Sequence, residues 1–213
     1  ASSVISLFSN AYTDVPVDTW RTDWSAAVLE NIQILGNDTK KYTNLDFVGV
    51  ETVAKQINIT GMTHIHLDMW TPNMTTFRIK LVDFGPDGGY DGGDDTEHEI
   101  VMENVVSKQW NSTDIPISQF TNLANRKNIA QLIFSGLPAG TGRVYIDNVY
   151  FYDNTSSVDQ IGVNNEVVVF PNPADENTRI QLNIDFQQAS VYNLMGKLIF
   201  AGNSEMFSNT SFP

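Results

Sequence analysis

Apolar and polar residues alternate with a period of two along most of residues 1–153. In His64-Ile65-His66-Leu67-Asp68-Met69-Trp70, the residues Ile65, Leu67 and Met69 fall on one side and the other four on the opposite side. That is the phase of a half-buried β-strand. The same alternation predicts strands at Val4–Ser9, Val28–Ile34, Phe47–Thr52, His64–Trp70, Thr76–Phe84, Glu97–Glu103, Trp110–Ile115, Ala130–Ser135 and Arg143–Tyr152. Turn residues separate them at the spacing of a sandwich. A short helical turn is expected near Ser118–Leu123. The pattern predicts an all-β fold, a two-sheet β-sandwich with Greek-key or jelly-roll connections.

The pattern changes after residue 153. Asn154-Thr155-Ser156-Ser157 opens a polar, unpatterned stretch, and residues 154–165 read as a linker. A second unit, residues 166–213, begins with Val167-Val168-Val169-Phe170. Pro171 and Pro173, which lack a ladder donor, should end that strand. Strands are expected at Thr178–Ile184 and over Ser190–Phe200, the latter interrupted by a turn at residues 193–197 around Gly196. So short a unit is marginal as an independent domain.

Charge narrows the partners. The chain carries a formal net charge of −13, and only 17% of its residues are charged. Residues 1–153 hold 10 basic and 19 acidic side chains and residues 154–213 hold 2 and 6, so both parts are acidic. A phosphate backbone would be repelled, which argues against nucleic acid. A neutral sugar fits better than a sulfated one. There is no cysteine, hence no disulfide framework or thiolate chemistry. No apolar run is long enough for a membrane helix, and Ala1-Ser2-Ser3 does not look like a signal peptide. A mature or excised monomer is the expectation.

Residues 63–84 carry the densest candidate chemistry. Read as a hairpin turning at Thr71-Pro72-Asn73-Met74, they would set His64, His66, Asp68 and Trp70 on the same face as Arg78 and Lys80. An aromatic plate beside rigid donors and acceptors suits a pyranose, which has one apolar C–H face and a rim of hydroxyls. An ordinary solvent-exposed face is the competing explanation. A metal on His64 and His66 would need a third ligand from the same strand, a poor tetrahedral geometry. Trp20 and Trp24 lie four apart in a loop. One could plug the end of the sandwich, and at least one is expected to contact ligand. Trp110 is read as core. The loop Gly85–Asp95 holds four Asp and five Gly. It departs from the calcium-loop order of an EF-hand and reads as a long hairpin loop, with Tyr90 placed to fold over a sugar.

Two resemblances follow from particular stretches. VISLFSNAYTDV (4–15), WRTDWS (20–25), KKYTNLDFVGVE (40–51), HIHLDMWTP (64–72), FRIKLVDFG (77–85), AQLIFSGLPAG (130–140) and VYIDNVYFYD (144–153) resemble carbohydrate-binding modules of secreted bacterial β-glucanases of laminarinase type. The resemblance implies a galactose-binding-like jelly roll, a β-glucan ligand and a parent glycoside hydrolase in cis. It also implies a structural calcium held by Asp147 with Ser9 and Asn10. VVVFPNPADE and SVYNLMGKLIFAGN resemble the C-terminal sorting domain of type IX secretion cargo, a small β-sandwich read by the export machinery. That implies a secreted or cell-surface protein. Relatives continue with further strands and a basic end, so this copy reads as partial.

The function expected is therefore a non-catalytic polysaccharide-binding module, with Trp20, Trp24, His64, His66, Asp68, Trp70, Arg78, Lys80 and Tyr90 as ligand-binding residues. A jelly-roll polysaccharide lyase is the first alternative, casting His64 or His66 as base with Arg78, Lys80 and Tyr42 around a uronate. A structural or adhesive module is the second.

Overall fold

The computed structural model describes residues 3–154, 167–170, 179–182, 188–192 and 197–203. The first unit has nine strands: β1 Val4–Phe8, β2 Ala26–Ile34, β3 Asn37–Glu51, β4 His64–Trp70, β5 Thr76–Asp83, β6 Thr96–Glu103, β7 Trp110–Pro116, β8 Ile129–Leu137 and β9 Gly142–Tyr152. A single 3₁₀ turn, Ile117–Gln119, stands where the helical turn was expected. The fold is thus all-β, and each of the nine strands predicted within residues 1–153 is present.

One antiparallel sheet folds over itself into two layers, and β3 joins them. Its first half pairs with β9, matching Lys40 to Ile146 and Tyr42 to Val144. Its second half pairs with β8, matching Phe47 to Ser135 and Glu51 to Gln131. Asn44, with φ of 52°, sits in the register shift between Tyr42 and Leu45, just before the change of partner. The first layer runs β6-β5-β8-β3, and the second runs β3-β9-β4-β7, with β1 beside β9 and β2 beside β3. Between them lies one core, fed by the inward phase of each strand: Ile65, Leu67 and Met69 from β4, Phe77, Ile79 and Leu81 from β5, Leu132 and Phe134 from β8, Val144, Ile146 and Phe151 from β9.

The expected hairpin at residues 63–84 does not form. β4 pairs with β7 and β9, whereas β5 pairs with β6 and β8. Residues 71–75 cross from one layer to the other. The two apolar faces therefore meet across the core, and the two polar faces point to opposite outer surfaces.

The chain divides into two compact units, Ala1–Ser156 and Ser157–Pro213. In the second, β10 Val167–Phe170 pairs antiparallel with β11 Arg179–Leu182, and β12 Ala189–Tyr192 with β13 Leu198–Gly202. Most of the linker expected at 154–165, the Pro171 and Pro173 strand stop and the turn at Gly196 lie outside the described residues. Among the described residues no helix is long and apolar enough to cross a membrane.

Candidate functional site

Val48 and Val50 of β3 are buried in the core, so Phe47, Gly49 and Glu51 fall on the outward phase. Residues 18–25 run beside this half of the strand. The Glu51 N–H donates to the Thr19 carbonyl at 2.9 Å, and the Thr22 N–H donates to the Gly49 carbonyl at 3.2 Å. The Gly49 N–H donates to Ser25 Oγ at 3.0 Å. Arg21 Nε donates to the Ala27 carbonyl at 2.7 Å and closes the turn from the other side. The loop is thereby tied to the strand on both flanks of Trp24.

Trp24 lies flat on Gly49. A Cβ at position 49 would stand 2.1 Å from Trp24 Cη2 and 2.4 Å from Cζ2, so glycine is what leaves room for the ring. The indole is also nearly parallel to Phe47, with centroids 6.2 Å apart and planes at 20°. Trp24 nonetheless remains 45% exposed. It is a plate seated on backbone and turned to solvent.

The plate is one wall of an open cleft of about 710 Å³. Val82 and Ile133 line it from β5 and β8, and Phe84 and Tyr90 from the start and middle of the long loop. Tyr90 is exposed, with its ring 5.7 Å from Phe84. Glu51, Gln131, Asp95, Thr96 and Glu97 supply the polar lining. Gln131 Nε2 donates to Glu51 Oε1 at 3.0 Å. The two cations of this layer are matched by β6: Lys80 Nζ lies 2.7 Å from Glu97 Oε1, and Arg78 Nε lies 3.7 Å from Glu99 Oε1. Among the described residues no Lys or Arg lines the cleft.

The aspartates of residues 85–95 build the loop they belong to. Asp87 accepts from the Gly89 N–H, Asp94 from the Asp87 N–H and Asp95 from the Asp91 N–H. Buried Asp83 fastens the base, accepting from the Gly85 and Asn128 N–H groups. One oxygen each of Asp94 and Asp95, Oδ1 in both, is buried without a hydrogen-bond partner.

His64, His66, Asp68 and Trp70 lie on the opposite outer face. His66 sits between two carboxylates, with Nδ1 2.7 Å from Asp114 Oδ1 and Nε2 3.4 Å from Asp68 Oδ1. Its ring stacks on Tyr150 at 4.7 Å, and His64 stacks on Tyr152 at 5.1 Å. The Tyr152 hydroxyl also donates to Asp114. These groups largely satisfy one another. The hydrogen bond to Asp68 raises the His66 pKa against the opposing effect of burial. Burial would push the Asp68 carboxyl up, but hydrogen bonds from His66, Asn148 and Ser112 outweigh it and hold the pKa at about 2.

A pH dependence follows with a definite sign. His66 contributes stability that is full below its unfolded pKa of about 6.5 and is lost as pH rises through the raised folded value. Asp68 contributes above its unfolded value and loses its contribution as pH falls toward about 2. Urea unfolding of His66→Asn should show a larger deficit against the unsubstituted protein at pH 5 than at pH 9. Parallel pH profiles for the two proteins would rule this out.

The structure thus separates the expected ligand set. Trp24, Tyr90, Arg78 and Lys80 belong to the first layer's outer face, and His64, His66, Asp68 and Trp70 to the second's. Trp20 joins neither group. It packs edge-on against Phe8 at 5.5 Å, and its carbonyl accepts from the Tyr42 hydroxyl. It is the end plug of the pair. Trp110, read as core, is instead 44% exposed, because it shares the outward phase of Ser112 and Asp114. The lyase constellation dissolves for the same topological reason. Its histidines and its cations face opposite ways, and Tyr42 is fully buried.

Of the expected calcium ligands, Ser9 Oγ donates to Asn148 Oδ1 at 2.8 Å. The Asp147 carboxylate accepts from the Asn148 N–H and the Asn37 amide. Asn10 is exposed. Ser9 and Asp147 thus both bond to Asn148, while Asn10 turns to solvent. The described residues hold no cluster of three or more acidic or histidine ligands.

Sequence and structure comparisons bear on the two units separately. Residues 168–212 match the family model of the secretion system C-terminal sorting domain. No curated protein matches the chain. Among solved structures, the family 30 carbohydrate-binding module of a cellulosomal cellulase of Clostridium thermocellum aligns with a TM-score of 0.56 at 14% identity, covering 72% of this chain and 99% of that one. A second family 30 carbohydrate-binding module structure aligns at 0.54 and 16% identity, covering 76% and 94%. At these identities the likeness is one of fold, a jelly-roll β-sandwich.

Proposed function

We propose that residues 1–153 are a non-catalytic polysaccharide-binding module whose ligand lies in the cleft beside Trp24, in a protein that its sorting-domain match marks as secreted or cell-surface. The observation that carries this reading is the indole seated flat on Gly49 with a polar and apolar cleft beside it. Sugar rings present a C–H face that stacks on such a plate, and their hydroxyls need acceptors at the rim. Glu51, Asp95 and Glu97 carry acceptor oxygens on the lining. The fold it shares with carbohydrate-binding modules supports the same reading.

The ligand class we favour is a neutral β-glucan such as laminarin. Carboxylates line the cleft and, among the described residues, no Lys or Arg does, so a uronate or sulfated chain would meet like charge. The resemblance to modules of laminarinase-type enzymes supports the glucan. In this account the parent hydrolase, carried in cis, gains local concentration on its substrate from weak contacts, and the type IX export machinery reads the C-terminal unit.

Native gel electrophoresis through laminarin, mixed-linkage glucan, mannan or alginate tests the proposal. Retardation is expected in the neutral β-glucan gels and none in alginate. Retardation in alginate alone, or in no gel, would refute it.

A further inference from the structure

The second layer's outer face carries an aromatic row of its own. Trp110, Trp70 and Tyr145 are Cα partners across the adjacent strands β7, β4 and β9. Trp70 and Tyr145 meet edge-on at 5.3 Å. Trp110, on the outermost strand of the three, is 44% exposed. Large aromatics on a solvated face call for an explanation, since such a face ordinarily carries Thr, Ser and charged residues.

Beside Trp110 opens a hollow of about 300 Å³, distinct in its lining from the Trp24 cleft. Ile34 and Trp110 are its apolar walls, and Asn37, Asp68, Asp147 and Asn148 give it a polar lining. Asp147 is only 3% exposed, and its carboxylate is held by the Asn148 N–H and the Asn37 amide. Asn148 Nδ2 in turn donates to Asp68 Oδ2 at 2.8 Å. The two carboxylates and two amides are therefore fixed by one another rather than free to swing, and each carboxylate oxygen can accept more than one donor.

We infer that this hollow is a second glycan subsite, taking a single neutral sugar residue against Trp110 with its hydroxyls on Asp68, Asp147 and the amides. Its size suits one ring rather than a chain segment. Its charge suits hydroxyl donors and disfavours anions, because two carboxylates and, among the described residues, no Lys or Arg line it. The inference stands on the Trp110 face alone and does not depend on the Trp24 cleft.

The test uses the full chain with Trp24→Ala, which silences the first cleft, and follows the tryptophan indole N–H resonances by ¹H–¹⁵N correlation. The Trp110 signal is identified by its loss in Trp110→Ala. Titration with laminarihexaose, cellohexaose and mannohexaose should move the Trp110 resonance saturably with at least one of them. Adding Trp110→Ala should weaken that remaining binding by about tenfold or more. A Trp110 resonance unmoved by all three sugars would overturn the inference. So would a resonance that responds to calcium chloride and to no sugar, which would assign the hollow to a cation. Failure of the Trp24 cleft would show separately, as an unsubstituted protein whose Trp24 indole does not respond.

Discussion

Gly49→Val should abolish most of the glycan affinity while leaving the protein folded. The substitution touches neither ligand nor charge. Its Cβ would occupy the space of the Trp24 ring, which lies within 2.1 Å of that point. Valine is otherwise well suited to a strand between Val48 and Val50, so the sandwich should persist. The ring must lift from the backbone, and the plate loses its seat. Removing the plate outright, by Trp24→Ala, should weaken binding by about 1–3 kcal/mol, the usual range for a well-packed aromatic anchor. That is roughly fivefold to 150-fold in affinity. Gly49→Val should fall in the same range, and the double variant should add little, because both changes remove one interaction. Affinity electrophoresis with circular dichroism as the folding control checks this. Wild-type retardation by Gly49→Val would mean that the seated indole is not the binding plate.

Phe134→Ala should produce the largest loss of stability among single truncations of the core. Phe134 lies on β8, between β5 and β3, is fully buried, and stacks on Phe77 at 5.7 Å. Truncating such a side chain costs about 3–5 kcal/mol through lost burial and the cavity left behind. For a unit of this size, that corresponds to a fall in Tm of roughly 6–20 °C. The same truncation at Phe47, on the outward phase of β3, should cost distinctly less. Thermal unfolding of the two variants separates the faces of the first layer. Equal losses would contradict the inward and outward assignment on which the Trp24 site depends.

How far the sequence could be read depended on the scale of the feature. Strand positions were legible because alternation is local: β4 runs over the predicted residues, and β5 and β9 differ at their ends by one residue. Pairing was not legible. A five-residue connection at 71–75 serves a hairpin or a crossing between layers equally well, and the apolar phase of β4 and β5 is the same in both. That single ambiguity placed Arg78 and Lys80 beside His64 and His66 on one expected face. The first half of β3 was missed because Asn37–Lys41 is polar, although it pairs with β2 and β9.

Two signals were present and underused. Trp110 alternates in phase with Ser112 and Asp114, which already points it outward. Gly49 stands alone between two valines in a strand, the mark of a close approach by another group. The loop pair Trp20 and Trp24 stands out in the sequence by its spacing alone. Which of them plugs the sandwich and which turns to solvent was decided by the hydrogen bonds tying residues 22–25 to β3, and these are not visible in composition or spacing.

The most direct test of the Trp24 cleft is isothermal titration calorimetry with laminarihexaose and a uronate oligosaccharide of matched length, on the unsubstituted protein and on Trp24→Ala. Saturable binding of the neutral sugar, absent for the uronate and weakened at least about fivefold by the substitution, is the expected result. Equal affinity in the two proteins, or preference for the uronate, would contradict the account.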